Sequence, residues 1–433
     1  LANIQKVAGG QGESVFQPCW SDNGTLYFIS DKSGFWNLYA SYSGLVDQVL
    51  RLEAEFGYPH WVFGLSTFAH ASSTQILCAV NSKGIWSLAA VNPESAEICY
   101  IESGHTDLGG LCCDGKQLVF LGGSPQRCSS LWRMDLSDRT VTLVKSSLTL
   151  DIDEGYISQA EVIEFDTTDG DKAYAPTNKD FVGNPNSKPP LIVKSHGGPT
   201  AASTTMLSPS IQYWTSRGFA LVDVNYRGST GFGRSYREKL NGKWGLVDVD
   251  DCENAALFLA ASGKVDGNKL CISGGSAGGY TTLCALTFRK TFKAGASHYG
   301  ISDMEALAKD THKFESRYTD RLVGLYPQER QIYYDRSPLN FADSITCPVI
   351  FFQGDEDKVV PPSQSEAMVN ALRKNRVPVV YMTFAGEQHG FRKSDSIRCC
   401  LESELQFYCR IFSIARDDFA STLEIENFAV SAP

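Results

Sequence analysis

Two regimes of hydrophobic patterning divide the chain. Up to about residue 148, short apolar runs alternate with turn signals: Thr25–Ile29 after Asp22-Asn23-Gly24, then Gln75–Val80, then Gln117–Leu121 after Asp114-Gly115. Asn-Gly and Asp-Gly promote tight hairpins because these residues tolerate positive φ. A short polar loop follows each run, and then a tryptophan: Trp36-Asn37-Leu38, Trp86-Ser87-Leu88 and Trp132-Arg133-Met134. The tryptophans stand 50 residues apart (36 to 86) and then 46 (86 to 132). Each unit therefore reads as strand, loop, Trp-bearing strand, turn. A four-stranded unit of about 40 to 50 residues is the size of a propeller blade. The tryptophans are expected in blade cores, because buried aromatic rings mostly serve packing. About three units are legible, and propellers use typically 4–8 blades. Residues 1–150 are thus read as a partial β-propeller; either N-terminal blades are missing from this chain or the units form something else.

From about Leu148 the pattern changes. Ala160–Phe165 is a further β-like run, Asp166–Asp171 a turn cluster, and Asn178–Pro190 a loop rich in Asn, Pro and Gly. Leu191-Ile192-Val193 is almost wholly apolar, as in strands buried on both faces of a parallel sheet. Ala220–Val224, Leu270–Ser273, Val349–Phe352 and Val379–Phe384 follow as strands. Helical stretches lie between and after them, notably Val249–Ala261, Gln364–Lys374 and Ile397–Phe412. This alternation predicts an α/β domain over residues 151–415, a mostly parallel sheet with helices on both faces, and then a tail over residues 416–433. In such a sheet, functional groups gather beyond the carboxyl ends of the strands.

The chemistry-bearing motifs lie at those ends. Gly274-Gly275-Ser276-Ala277-Gly278 joins the strand at 270 to a helical run from Thr281 to Phe288. The turn must be sharp, Ser276 must be strained, and glycines leave room for it. That geometry presents a nucleophilic hydroxyl. His196-Gly197-Gly198-Pro199 follows the strand ending near Ser195. A Gly-Gly turn there suits an oxyanion hole, with the N–H groups of Gly198 and Ala277 as donors; the alternative is an ordinary Gly-Pro turn. Gly354-Asp355-Glu356-Asp357 follows another strand, and one of these carboxylates is a candidate to orient a histidine. His389, flanked by Gln388 and Gly390 on the loop after Phe384, is the candidate general base. Serine, then acid, then histidine is the α/β-hydrolase order. Tyr226 and Arg227 lie on a loop after a strand and are candidates to line the substrate pocket; for Arg227 the alternative is a structural ion pair. His60, His70, His105, His298 and His312 have no comparable setting and are read as structural or surface residues.

Composition narrows the partners. A net charge of −10 argues against nucleic acid. No apolar run approaches the ~18 residues that span a bilayer, so no membrane association is expected. The 13 cysteines include no C-x-x-C pattern, which gives a zinc site little support. Several, such as Cys271, Cys284 and Cys409, sit in apolar runs. They are read as buried free thiols of a reducing, cytoplasmic setting. No metal and no cofactor is needed by a hydroxyl–imidazole–carboxylate set. The first residue is Leu1, not Met, so a fragment or a trimmed form of a longer chain is expected. Unclosed strand edges would favour homo-oligomers.

The second region resembles the catalytic domain of the prolyl oligopeptidase family of serine peptidases, most closely its acylaminoacyl-peptidase and dipeptidyl-aminopeptidase-like branch. The motifs are His196-Gly-Gly-Pro199, Asn225-Tyr-Arg-Gly-Ser-Thr-Gly-Phe-Gly233, Gly274-Gly-Ser-Ala-Gly-Gly279, Gly354-Asp-Glu-Asp-Lys-Val-Val-Pro361 and Glu387-Gln-His-Gly-Phe391. They cover roughly residues 157 to 415. The family pattern places its acid three residues after the glycine, which selects Asp357 over Asp355 and Glu356. The resemblance also implies an N-terminal β-propeller, and Trp20-Ser-Asp-Asn-Gly24 and Ser33-Gly-Phe-Trp-Asn-Leu-Tyr39 look like its blade sequences. One departure concerns Pro176: directly after Ala175, it interrupts a strand the family continues, so an edge strand of the sheet is in question. The implied function is hydrolysis of short peptides, with release of aminoacyl or acylaminoacyl groups. The alternatives are a carboxylesterase with the same triad and a catalytically inactive scaffold.

Overall fold

The computed structural model describes residues 4–149, 152–179, 187–419 and 421–428. The centre of the loop expected over Asn178–Pro190, residues 180–186, and the end of the expected tail lie outside the described residues. The chain forms two compact units. The first comprises Leu1–Glu161 together with Ala202–Pro209 and Ser229–Glu238; the second comprises Val162–Ala201, Ser210–Gly228 and Lys239–Pro433. Two short stretches from the hydrolase-like part of the sequence thus belong with the first unit.

The first unit contains three four-stranded antiparallel sheets. Their strands run in sequence order: Val15–Trp20, Leu26–Ser30, Asn37–Tyr42 and Leu45–Gln48; then Phe68–Ser72, Gln75–Ser82, Ile85–Asn92 and Glu97–Ile101; then Asp107–Cys113, Gln117–Ser124, Arg127–Asp135 and Val141–Ser146. Alternation along the strands explains how they stack. In Gln75–Ser82, Ile76, Cys78 and Val80 join Ile29, Trp36 and Leu38 of the first sheet in one core. Leu77 and Ala79, on the opposite face, join Leu118, Phe120 and Trp132 of the third sheet in another. A period of two therefore gives the middle sheet two apolar faces. The three tryptophans of the repeat are all buried in these cores. These sheets are the blades of a partial β-propeller.

The second unit is built on an eight-stranded sheet. We number its strands β1 (Glu161–Asp166), β2 (Lys172–Asn178), β3 (Leu191–Ser195), β4 (Ala220–Val224), β5 (Leu270–Gly275), β6 (Ala294–His298), β7 (Val349–Gly354) and β8 (Val379–Phe384). The spatial order is β1-β2-β4-β3-β5-β6-β7-β8. From β4 to β8 all pairings are parallel, whereas β2 pairs with β4 antiparallel through Thr177 and Asn178. Pro176 therefore does not end its strand. The central strands bury both faces. Leu191 and Val193 of β3 pack with Ile272, Phe351 and the helices α1 (Val247–Ala261), α2 (Ala277–Phe288) and α3 (Pro362–Lys374). Ile192 points the other way, into a core with Cys271, Ile350, Phe352 and the helix α4 (Ser394–Ile411). This is the arrangement that makes such strands read as continuous apolar runs.

Sequence patterning does not reveal β6, Ala-Gly-Ala-Ser-His, because it has no β-branched or aromatic residue. Close packing selects it: a Cβ on Gly295 would come within 2.6 Å of Leu286 Cδ1 on α2. Residues 421–428 are packed rather than trailing: Ile425 is buried, Glu426 bridges to Val379, and Arg373 pairs with Glu426 at 2.7 Å. Among the described residues, no helix is long and apolar enough to cross a membrane.

Candidate active site

The site begins with backbone strain. Ser276, between β5 and α2, has φ 57° and ψ −119°. L-residues avoid this region at a cost of order 1–3 kcal/mol, so surrounding contacts must enforce it. Ser276 N–H donates to His298 O at 3.0 Å, and Ser195 Oγ donates to Gly278 O at 2.8 Å. A Cβ on Gly274 would collide with the backbone of Gly278, and one on Gly278 with Ser195 O. Glycine at both positions is thus a steric requirement of the turn, as the motif suggests.

The other two arms are loops at neighbouring strand ends. Asp357 lies beyond β7 and is 3 % exposed. Its Oδ1 accepts the N–H groups of Val359 and Val360, both at 2.9 Å, and Gln353 Nε2 approaches Oδ2 at 3.4 Å. The carboxylate is therefore oriented before any histidine meets it. His389, beyond β8, bridges the two other groups: Nδ1 lies 2.7 Å from Asp357 Oδ2, and Nε2 lies 2.8 Å from Ser276 Oγ. Tyr299 packs edge-on against the imidazole, with centroids 4.9 Å apart. The acid and histidine loops are tied directly, since Glu356 N–H donates to Glu387 O at 3.0 Å. The neighbouring acid also has a separate use: Asp355 accepts Gly386 N–H at 2.7 Å.

The Gly-Gly loop lies against the serine. A Cβ on Gly197 would be 3.2 Å from Gly275 O and 3.6 Å from Ser276 Cβ. Gly198 has φ 58°. Ala277 opens α2, so no carbonyl within the helix accepts its N–H. Both intended oxyanion donors thus belong to backbone segments that meet at Ser276.

Two residues need correction. Tyr226 and Arg227 do not line a pocket. Tyr226 is 0 % exposed; its hydroxyl donates to His196 O at 3.1 Å, and its ring stacks on the His196 imidazole with centroids 4.3 Å apart. It shapes the Gly-Gly loop from beneath. Arg227 is 1 % exposed and is held by Asp251, with Nη2–Oδ1 at 2.9 Å and Nε–Oδ1 at 3.0 Å, and by Thr168 Oγ1 at 2.7 Å. It makes the structural ion pair that the sequence left as the alternative.

Sequence reasoning passed over several supporting residues. Glu387 accepts Arg392 and Lys393 N–H groups at 3.0 and 2.9 Å and so shapes the histidine loop. It stands in the Glu-x-His-Gly motif, which was a usable signal. Gln353 and Tyr299 carried no such signal. Cys271, Cys284 and Cys409 are buried free thiols.

A sheet of this order, with a strained serine after β5 and the acid and histidine beyond β7 and β8, defines an α/β-hydrolase domain. Residues 205–415 match the profile of the prolyl oligopeptidase family, and this region is similar to the members of that family. It is 36 % identical over 232 residues to a dipeptidyl peptidase family member 6 of Caenorhabditis elegans, covering 52 % of this chain and 31 % of that protein. It is 29 % identical over 217 residues to acylamino-acid-releasing enzyme 1 of Oryza sativa, covering 48 % of this chain and 28 % of that one. Among solved structures, a puromycin-hydrolyzing peptidase of Mycobacterium tuberculosis superposes with a TM-score of 0.93 at 37 % identity, covering 98 % of this chain and 65 % of that one. A puromycin hydrolase gives a TM-score of 0.94 at 34 % identity, again with 65 % of that chain covered. The chain thus spans about a third of the curated relatives it matches.

Proposed function

We propose that this chain is a serine peptidase that acts on short peptides and releases aminoacyl or acylaminoacyl groups. The observation that carries the reading is the imidazole of His389, held between the Asp357 carboxylate at 2.7 Å and the Ser276 hydroxyl at 2.8 Å. In this reading His389 Nε2 takes the Ser276 proton as Oγ attacks the substrate carbonyl. The N–H groups of Gly198 and Ala277 receive the developing oxyanion. The imidazolium, stabilised by Asp357, then returns its proton to the departing amine as the C–N bond breaks. Water, deprotonated by the same imidazole, cleaves the resulting acyl ester and regenerates Ser276. The names of the relatives support amide substrates over simple esters, and puromycin is one compound to test.

The experiment compares wild type with Ser276→Ala on an aminoacyl anilide, an N-acyl-aminoacyl anilide, puromycin and a simple ester, alongside labelling by a fluorophosphonate. Wild type is expected to label at Ser276 and to hydrolyse at least one amide faster than the ester. Ser276→Ala is expected to lose about 10⁶ in kcat. Ester turnover without amide turnover would make the chain a carboxylesterase, and an unlabelled Ser276 would make it a scaffold.

A further inference from the structure

Beneath the serine lies a second imidazole–carboxylate pair that the proposed reaction does not use. His298 is the last residue of β6, and its carbonyl accepts the N–H of Ser276. The next residue, Tyr299, has φ 42° and donates its N–H to Phe352 O at 2.7 Å. The end of β6 therefore fixes the strained serine on one side and, through the Tyr299 ring, touches His389 on the other. Besides its backbone pairing with β7, the end of β6 is held by the His298 side chain. Its ring stacks on Phe352 with centroids 4.6 Å apart, and its Nε2 lies 3.0 Å from Glu404 Oε2.

Glu404 projects from α4 and is 4 % exposed. Tyr408, one turn further along α4, donates its hydroxyl to Glu404 Oε1 at 3.1 Å. Burial alone would push this carboxyl up, but hydrogen bonds from His298 and Ser273 and the nearby Lys194 charge hold it below the usual carboxylate range. It faces His298 as an anion, so Nε2 carries the proton and donates.

The same helix also holds the histidine arm. Glu387, two residues before His389, accepts the N–H groups of Arg392 and Lys393 immediately ahead of α4 and a hydrogen bond from Ser396 in its first turn. One helix of 18 residues is thus fastened at one end to the histidine loop and further along to the strand end whose carbonyl holds the serine N–H.

We propose that α4 is a common brace that sets the Ser276–His389 separation, and that His298 and Glu404 are positioning residues for the nucleophile. This rests on the hydrolase reading of the site. The physical basis is that proton transfer tolerates little displacement: a misplacement of about 1 Å can cost about 10²-fold in rate. Neither residue touches substrate or the reacting atoms.

The test measures kcat, KM, fluorophosphonate labelling rate and folded fraction for wild type, Glu404→Gln, His298→Ala and His298→Gln. Glu404→Gln removes the charge but keeps the shape. We expect it and His298→Ala to lower kcat and labelling rate together by about 10- to 100-fold per folded molecule, with KM within about twofold. His298→Gln keeps an N–H donor in reach of Glu404 and is expected to recover most of the rate. A pair that serves stability alone would lower the folded fraction and leave kcat per folded molecule unchanged; that result overturns the proposal. If Glu404→Gln fails to fold, Tyr408→Phe, which removes one bond to the same carboxylate, takes its place; an unchanged labelling rate there also counts against the brace. A wild-type chain that neither labels nor hydrolyses would sink the hydrolase reading itself. An active wild type with unaffected variants would sink the brace alone.

Discussion

Both units bury carboxylates, and the groups that meet them differ. In the eight-stranded unit, Asp357, Asp251 and Glu404 each face a nitrogen that can carry positive charge: His389 at 2.7 Å, Arg227 at 2.9 Å and His298 at 3.0 Å. In the propeller-like unit, Glu55 is 0 % exposed, and its oxygens accept the backbone N–H groups of Trp36 at 2.6 Å and Gly233 at 3.0 Å. The nearby Arg237 is committed to Asp31 at 2.6 Å. Asp248 shows that the partner decides, not the unit. It lies in the eight-stranded unit but is met by Gly245 N–H at 2.7 Å and Thr281 Oγ1 at 2.6 Å, and burial raises its pKa to about 6. A buried carboxylate met by a cation or an imidazole orients that partner; Glu55 and Asp248, met by neutral donors, act as structural clips, and burial raises their pKa values to about 7 and about 6.

The sharpest test of this contrast removes the charge at Asp357 while keeping its shape. In Asp357→Asn the amide oxygen can still accept the Val359 and Val360 N–H groups, so the loop is expected to persist. The imidazole, however, loses the anion that fixes its tautomer, and kcat on the preferred amide is expected to fall about 10⁴-fold. A loss below about tenfold would show that the carboxylate is only a clip, like Asp248.

Arg227→Met comes next in size. It strands Asp251 as an uncompensated buried charge, which costs about 3–5 kcal/mol. Chemical denaturation should show that loss, while KM of the remaining folded protein stays near the wild-type value. Adding Asp251→Leu should restore much of the stability, because an apolar pair of similar volume often replaces a buried ion pair without penalty. Unchanged stability with a raised KM would return Arg227 to the substrate pocket.

The meeting of Ser276, His389 and Asp357 was readable from sequence because each sits at the end of an apolar strand in a loop whose glycines are sterically required, as at Gly274 and Gly278. The blades were readable because their pairing is local and their tryptophans repeat. What was not readable depends on contacts distant in sequence. The strand at Ala294–His298 looks like a small-residue linker until Leu286 closes on Gly295. Arg227 is separated from Asp251 by 24 residues, and His298 from Glu404 by 106. The one trace of Glu404 was an acid in the apolar stripe of α4, four residues after Cys400 and four before Tyr408. Likewise, nothing in the sequence around Gly233 indicated that its N–H would be taken by Glu55, 178 residues earlier.

Glu55 gives the smallest effect and the most direct measure of the clip. Desolvation raises its pKa from the ordinary 4.5 to about 7, against the lowering influence of the Trp36 and Gly233 N–H groups and Arg237, with Asp31 adding to the rise. The folded state therefore binds this proton more tightly than the unfolded state. Its stabilising contribution is complete below about pH 4.5 and is lost as pH rises through about 7. The full difference is roughly 3 kcal/mol. Glu55→Gln cannot titrate. It carries its own cost, since one of its termini is an NH₂ group facing a backbone N–H, but that cost does not vary with pH. Urea unfolding at pH 5 and pH 8 should thus give a wild-type stability that falls relative to Glu55→Gln across this interval. Parallel pH profiles for the two proteins would mean that Glu55 is ionised in the fold, with Arg237 serving as its counterion, and Glu55 would no longer differ from the carboxylates that face a cation.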